Sequence, residues 1–353
     1  MKYPNSVKWW LRIGLFMVFV QVVVGGITRL TESGLSITKW EVISGTLPPM
    51  TDKAWNDEFD LYKTTPQYKE INEGLSMSDF KFIYFWEYIH RFWARIMGFV
   101  FLLPFIYFYR KGYLDKPILV NLGYVIVLAS LAAIFGWVMV ASGLIERPWV
   151  NAYKLTFHLL IAFSVFAMLL WTYLVAFPIH STKYGISARL KSFVTAFTIL
   201  VVVQIFFGGI ISGMKAAVIY PSWPSMHGEF LPDVLLDISQ WKMENFYNYD
   251  RNLFMPALIH FLHRNTGYLV LCLGVGIGIG ILVFSKEVKS IYVKNIAISL
   301  IGILILQVSF GIITLISSVG SIPVLWGVLH QAGALLLLSI IIIIHFSFIL
   351  KIK

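Results

Sequence analysis

Eight apolar stretches dominate this chain, at roughly 10–30, 82–108, 118–142, 153–177, 192–213, 255–284, 295–317 and 323–349. A helix needs about 20 mostly apolar residues to cross the hydrocarbon of a bilayer, and each stretch is long enough. The second and sixth carry internal charge and give the weakest hydropathy signal. Only 13% of the 353 residues are charged, about half of the roughly 25% usual in soluble domains. So few charges cannot cover a soluble surface, and mean hydropathy is +0.77. The expected fold is an all-α polytopic membrane protein. With 16% aromatics and no short repeat, disordered and fibrous classes are excluded. The single cysteine, Cys272, excludes an internal disulfide, a Cys-ligated zinc site and an iron–sulfur cluster.

The basic residues set the orientation. With both termini in the cytoplasm, the inner segments hold Lys2, Lys8, Arg12, Arg110, Lys111, Lys116, Lys183, Arg189, Lys191, Lys286, Lys289, Lys294, Lys351 and Lys353. Against these 14 bases stand two acids, Asp115 and Glu287, while the outer segments hold 11 bases and 15 acids. The net charge of +10 therefore marks the inner face of a bilayer, and there is no nucleic-acid footprint. Two long outer loops, 31–81 and 214–254, are expected to fold over the outer face. No cleavable signal or transit peptide is read before the first span, so a bacterial plasma membrane is the expected location.

The two halves repeat each other. Gln21-Val-Val-Val-Gly-Gly26 in span one corresponds to Gln204-Ile-Phe-Phe-Gly-Gly209 in span five. Tyr88-Ile-His-Arg91 corresponds to Phe261-Leu-His-Arg264, and His158 in span four to His330 in span eight. The histidines lie 68 residues apart in the first half and 67 in the second. Each half has four spans, so both copies share one orientation. The expected architecture is eight transmembrane helices as two parallel-repeat four-helix bundles, 1–180 and 181–353.

A lone helical histidine is most often a hydrogen-bonded packing residue. Four at repeated positions, all in the outer half of outside-to-inside spans, are functional candidates. Two facing imidazoles in a bundle core can ligate a metal or a haem iron. A bare divalent ion commonly adds carboxylate or thiolate ligands, and each half offers only two matched histidines. His90, His158, His263 and His330 are therefore the candidate axial ligands. The glycine pairs 25/26 and 208/209 suit either close approach to a flat macrocycle or helix packing. Arg91 and Arg264 suit either haem propionates or an interhelical ion pair. Glu87 shares a helix face with His90 and is a candidate proton acceptor or donor, unless it only pairs with Arg91 or Arg95. Its counterpart in the second half is His260. His260 could rival His263 as a ligand, but only His263 has the duplicated His-Arg context; His180, His227 and His345 have no partner in the repeat and are read as non-ligands.

Several stretches resemble the haem A synthase family, in its mitochondrial-type branch with a long first outer loop. They are Gly25-Gly-Ile-Thr-Arg-Leu-Thr-Glu-Ser-Gly-Leu-Ser-Ile37, Leu47-Pro-Pro49, the Phe80–Arg91 run with its Glu-x-x-His-Arg motif, Pro148–Leu155 and Leu329-His-Gln-Ala-Gly333. The likeness covers nearly the whole chain. It implies an oxidoreductase that converts the C8 methyl of haem O to a formyl group, giving haem A for cytochrome oxidase. It implies that the first half binds haem O through His90 and His158, with Glu87 as the catalytic carboxylate. The second half would hold haem b through His263 and His330. Haem O synthase, cytochrome oxidase assembly and an unidentified electron acceptor are the implied partners. The chain departs from the family in two places. It lacks the loop cysteine pair of one branch, and it reads Tyr220-Pro-Ser-Trp-Pro224 and Met226-His-Gly228 where the family tends to have Tyr-Asn-Thr-Phe-Pro and Met-Asp-Gly.

A bis-His iron leaves no open position for O₂. Either a ligand leaves during turnover, or oxygen enters as water after electrons leave the methyl, and the second route needs a base such as Glu87. The alternatives are a non-catalytic di-haem cytochrome b and a transporter. Haems confined to the outer half argue against transmembrane electron transfer. Few polar residues or helix breaks near the midplane argue against transport.

Overall fold

The computed structural model describes residues 2–39, 47–145, 147–178 and 186–349. His180, Lys183, Lys351, Lys353 and the expected 180/181 boundary lie outside the described residues. Those residues form helices, short 3₁₀ turns and loops without a named strand. The helices in order are α1 (Asn5–Leu30), α2 (Asp52–Lys63), α3 (Pro66–Glu70), α4 (Met77–Arg110), α5 (Lys116–Gly143), α6 (Ala152–Ala176), α7 (Ala188–Gly213), α8 (Ala216–Ile219), α9 (Met243–Tyr247), α10 (Phe254–Glu287), α11 (Ile291–Ile316) and α12 (Val324–Ile344). Among the described residues, eight helices are long and apolar enough to cross a membrane: α1, α4, α5, α6, α7, α10, α11 and α12. All eight coincide with the expected spans. α4 and α10 are the longest at 34 residues each, which at 1.5 Å per residue exceeds the hydrocarbon thickness.

Local chemistry sets the helix starts. Ser76, Asp115, Ser187 and Ser290 each accept a hydrogen bond from a first-turn backbone N–H of α4, α5, α7 and α11. Thr51 and Thr65 do the same for α2 and α3, and Pro66 opens α3, where its missing N–H costs nothing.

The chain forms two compact units, Met1–Leu169 and Leu170–Lys353. In the first, α1 lies along α4, and the Trp93 indole N–H donates to Met17 O at 2.9 Å. The segment between α1 and α4 is not a plain connection. Phe59 and Tyr62 of α2 stack on Phe80 at the start of α4, with ring centroids 4.8 and 5.3 Å apart. The Tyr62 hydroxyl is buried, donates to Gln67 and accepts from Asn72. In the second unit α10 packs between α7 and α11, and α12 packs against α11. Val194, Phe197, Ile281, Ala297, Leu300 and Ile341 are among the residues of its core. α12 ends in one turn of π-helix, His345–Ile349.

Candidate functional site: two pairs of held histidines

Each unit brings together the two histidines expected of it. In the second, the rings of His263 on α10 and His330 on α12 have centroids 6.3 Å apart and planes at 80°. In the first, His90 on α4 and His158 on α6 lie within electrostatic reach of one another.

The neighbouring helices hold these rings in matched fashion. His158 Nδ1 lies 3.0 Å from Ala132 O on α5, and His330 Nδ1 lies 3.0 Å from Gln307 O on α11. A proton on Nδ1 donated to a carbonyl leaves Nε2 with a free lone pair, as a metal ligand requires. His90 and His263 are held by glutamines instead. Gln21 Nε2 on α1 donates to His90 O at 3.2 Å and lies 3.2 Å from His90 Nδ1. Gln204 Nε2 on α7 donates to His263 O at 2.9 Å and lies 3.4 Å from His263 Nε2. Gln307 Nε2 likewise donates to His330 O at 2.8 Å.

The residues fit an iron porphyrin. Two imidazole nitrogens, each about 2 Å from one metal, place their ring centroids about 6 Å apart, which the His263–His330 pair matches. The donor set is imidazole only, and among the described residues no group of three or more His, Cys, Asp or Glu could hold a bare ion. The Nε of Arg264 and Nδ1 of His263 are buried without a hydrogen-bond partner. Both face an unmet polar requirement that a carboxylate-bearing ligand and its metal can supply.

Glu87 is 2% exposed, and its immediate surroundings are polar donors. Its Oε2 accepts from Ser36 N and Ser36 Oγ, both at 2.7 Å, and from Ile37 N at 2.9 Å. Its Oε1 is paired with Arg91, whose Nη2 also donates to Ile37 O at 3.3 Å. The Thr-Glu-Ser-Gly-Leu-Ser run explains this receptor. Ser33 N returns to Thr28 O at 2.9 Å, and Glu32 takes a left-handed backbone (φ 58°), so the chain turns sharply off α1. Thr28 Oγ1 then ties α1 to Trp86 O of α4 at 3.1 Å, and the turn presents Ser36 and Ile37 to Glu87. Sequence reasoning missed Ser36 and Ile37; the motif was the signal, but its target lies 51 residues away.

Arg264 plays a parallel part in its own unit. Its Nη1 donates to Pro224 O at 2.8 Å and its Nη2 to Phe230 O at 2.7 Å, which pins the segment between α8 and α9. Among the described residues Arg264 makes no interhelical ion pair, whereas Arg91 pairs with Glu87 within α4. His260 is buried beside Tyr220, with ring centroids 6.1 Å apart. His345 Nε2 lies 2.8 Å from Thr198 Oγ1, a packing contact. His227 sits in the segment between α8 and α9 with φ 52°.

Fold and site together define a multi-pass helical membrane protein with paired intramembrane histidines suited to an iron porphyrin. Residues 8–342 match the COX15-CtaA family, described as cytochrome oxidase assembly protein, and the chain belongs to that family. It is 38% identical over 343 residues to a protein named heme A synthase from Flavobacterium psychrophilum, covering 96% of this chain and 97% of that one. Proteins of the same name from Sinorhizobium fredii and Nitrosospira multiformis are each 36% identical, over 337 and 336 residues. Those alignments cover 95% and 94% of this chain, and 88% and 90% of the relatives.

Proposed function

We propose that this chain is a membrane-bound oxidoreductase that makes haem A from haem O for cytochrome oxidase assembly. The observation that carries the reading is the pair of imidazoles in each unit, held by backbone carbonyls and glutamines of neighbouring helices, with a receptor-bound carboxylate beside only one pair. In this reading the halves form a parallel repeat, both termini are cytoplasmic, and the membrane is a bacterial plasma membrane. The long first outer loop without a cysteine pair fits the mitochondrial-type branch.

The first half takes haem O as substrate, between His90 and His158. The second takes haem b, between His263 and His330. A bound b-type haem supplies one-electron transfer toward an acceptor. Oxidising the methyl to a formyl group with water as oxygen donor releases four protons and four electrons, so a proton acceptor is needed beside the substrate. Glu87 fills that role through Oε1. Its Oε2 stays fixed by Ser36 and Ile37, and Arg91 has Ile37 O as a second acceptor when Oε1 takes a proton. Arg264 Nε remains for a propionate, while its two Nη groups hold the loop. Arg91 would share itself between Glu87 and a propionate.

The halves also differ at a second place. Gln307 anchors the His330 backbone, whereas the corresponding position opposite His158 is Ala132. A substrate site must release its porphyrin and a cofactor site must keep it, and the firmer hold lies in the second half. Haem analysis of the purified protein tests the function. Haem O or A together with haem B supports the synthase, haem B alone would make it a di-haem cytochrome, and no haem would leave a transporter.

A further inference from the structure

The four histidines share a feature that their spacing does not contain: each imidazole edge rests against a glycine of the neighbouring helix. A methyl group built on Gly25 would lie 2.9 Å from His90 Cε1, and one on Gly136 3.1 Å from His158 Cε1. On Gly208 it would lie 3.2 Å from His263 Cε1, and on Gly311 2.9 Å from His330 Cε1. Such distances are shorter than nearly all real Cβ contacts. The glycines lie on α1, α5, α7 and α11, and the histidines on α4, α6, α10 and α12.

In each case the residue four positions before the glycine touches the same histidine. These are Gln21, Ala132, Gln204 and Gln307. Residues i and i+4 share one helix face, so every pair of helices presents one hydrogen-bonding anchor and one gap, a turn apart. The pattern occurs twice in each unit. It is not a general property of glycines in these helices. A methyl on Gly123 of α5 or Gly302 of α11 meets nothing within 4 Å, and one on Gly274 of α10 would lie 2.5 Å from Leu304 and 2.8 Å from Phe197, a tight helix-packing contact that involves no histidine.

We propose that Gly25, Gly136, Gly208 and Gly311 are positioning residues that set the depth and plane of the four imidazoles toward an iron porphyrin. The proposal rests on the reading of these histidines as iron ligands. A histidine ring turns about a broad, roughly two-fold torsion, so its helix alone does not fix the plane. At His158 and His330 a hydrogen bond from Nδ1 to a carbonyl fixes the tautomer and one direction. The glycine gap supplies the remaining constraint: it lets the ring sit back against the neighbouring helix. An added methyl pushes the ring forward and turns it. Of the two glycines in each Gly-Gly pair, Gly25 and Gly208 therefore serve the histidine.

The test substitutes Gly311→Ala and Gly136→Ala, with Gly302→Ala and Gly123→Ala as controls on the same helices. Haem per protein, the low-spin absorption spectrum and the low-spin electron paramagnetic resonance signal are read; the last reports the angle between axial imidazole planes. The expected result is a shifted low-spin signal and about tenfold weaker haem retention for the two notch variants, the scale of overpacking by one methyl, with unchanged controls. An unchanged signal in Gly311→Ala would overturn the proposal while leaving the ligands in place. A low-spin signal of the second-half haem that survives His330→Ala would overturn the ligand reading instead.

Stability of the haem-free protein gives a second readout if loading fails. Gly311→Ala should lower the thermal midpoint when His330 is present and leave it unchanged or raised in the His330→Ala background, because the clash needs the ring and alanine favours the helix. An equal loss in both backgrounds would make Gly311 a plain helix-packing residue and refute the notch.

Discussion

Replacing Glu87 with Gln keeps the side-chain shape but not its partners. The amide oxygen can take the place of Oε2 and still accept from Ser36 N, Ser36 Oγ and Ile37 N. The amide nitrogen then faces Arg91, donor against donor, at a position that is 2% exposed. Breaking one side of a buried ion pair typically costs about 3–5 kcal/mol, because the other charge is left behind. Hydrogen bonds to a charged acceptor are worth about 1.5–3 kcal/mol against about 1 for neutral ones, so the three remaining bonds weaken too. The near-isosteric change is therefore not silent: folding yield should fall. Catalysis is separated from folding by measuring haem A formed per folded, haem-loaded enzyme. Loss of a general base lowers that rate about 10²–10⁴-fold, with haem O or a hydroxylated intermediate accumulating. A near-normal rate per loaded enzyme, with only the yield reduced, would refute the catalytic role and leave Glu87 as the anchor of the turn that follows α1.

Two further outcomes follow from the contacts. His263→Ala should abolish the low-spin signal of the second-half haem and deplete haem B, and His260→Ala should retain both; the reverse pattern in the absorption spectrum would exchange the ligand assignment. Burial pushes the Tyr62 hydroxyl up from its ordinary 10.0 to about 12. The fold thus favours the neutral phenol, so this stabilisation is present below pH 10 and lost as pH rises through about 12. Tyr62→Phe should remove that alkaline loss, at a cost of about 0.5–1.5 kcal/mol near neutral pH from the partners Gln67 and Asn72, as read from thermal midpoints against pH.

The eight spans, the duplicated histidines and the Glu-x-x-His-Arg motif were legible in the sequence, because each is a local property. Hydropathy over about 20 residues reports a span, and matched spacing in two halves reports a repeat whatever the helices touch. What the sequence did not contain was which face of each helix meets which neighbour. In a membrane helix the lipid-facing and buried faces are both apolar, so periodicity does not reveal rotation or register. Only the tertiary structure brought Ser36 and Ile37 onto Glu87 and turned Arg264 toward Pro224 and Phe230. It likewise set Gly136 and Gly311 against His158 and His330. Gly25 and Gly208 could be picked out by their repeated pairs, but Gly136 and Gly311 are single glycines in apolar runs. Their role depends on a ring carried by another helix, and that distance is a matter of packing.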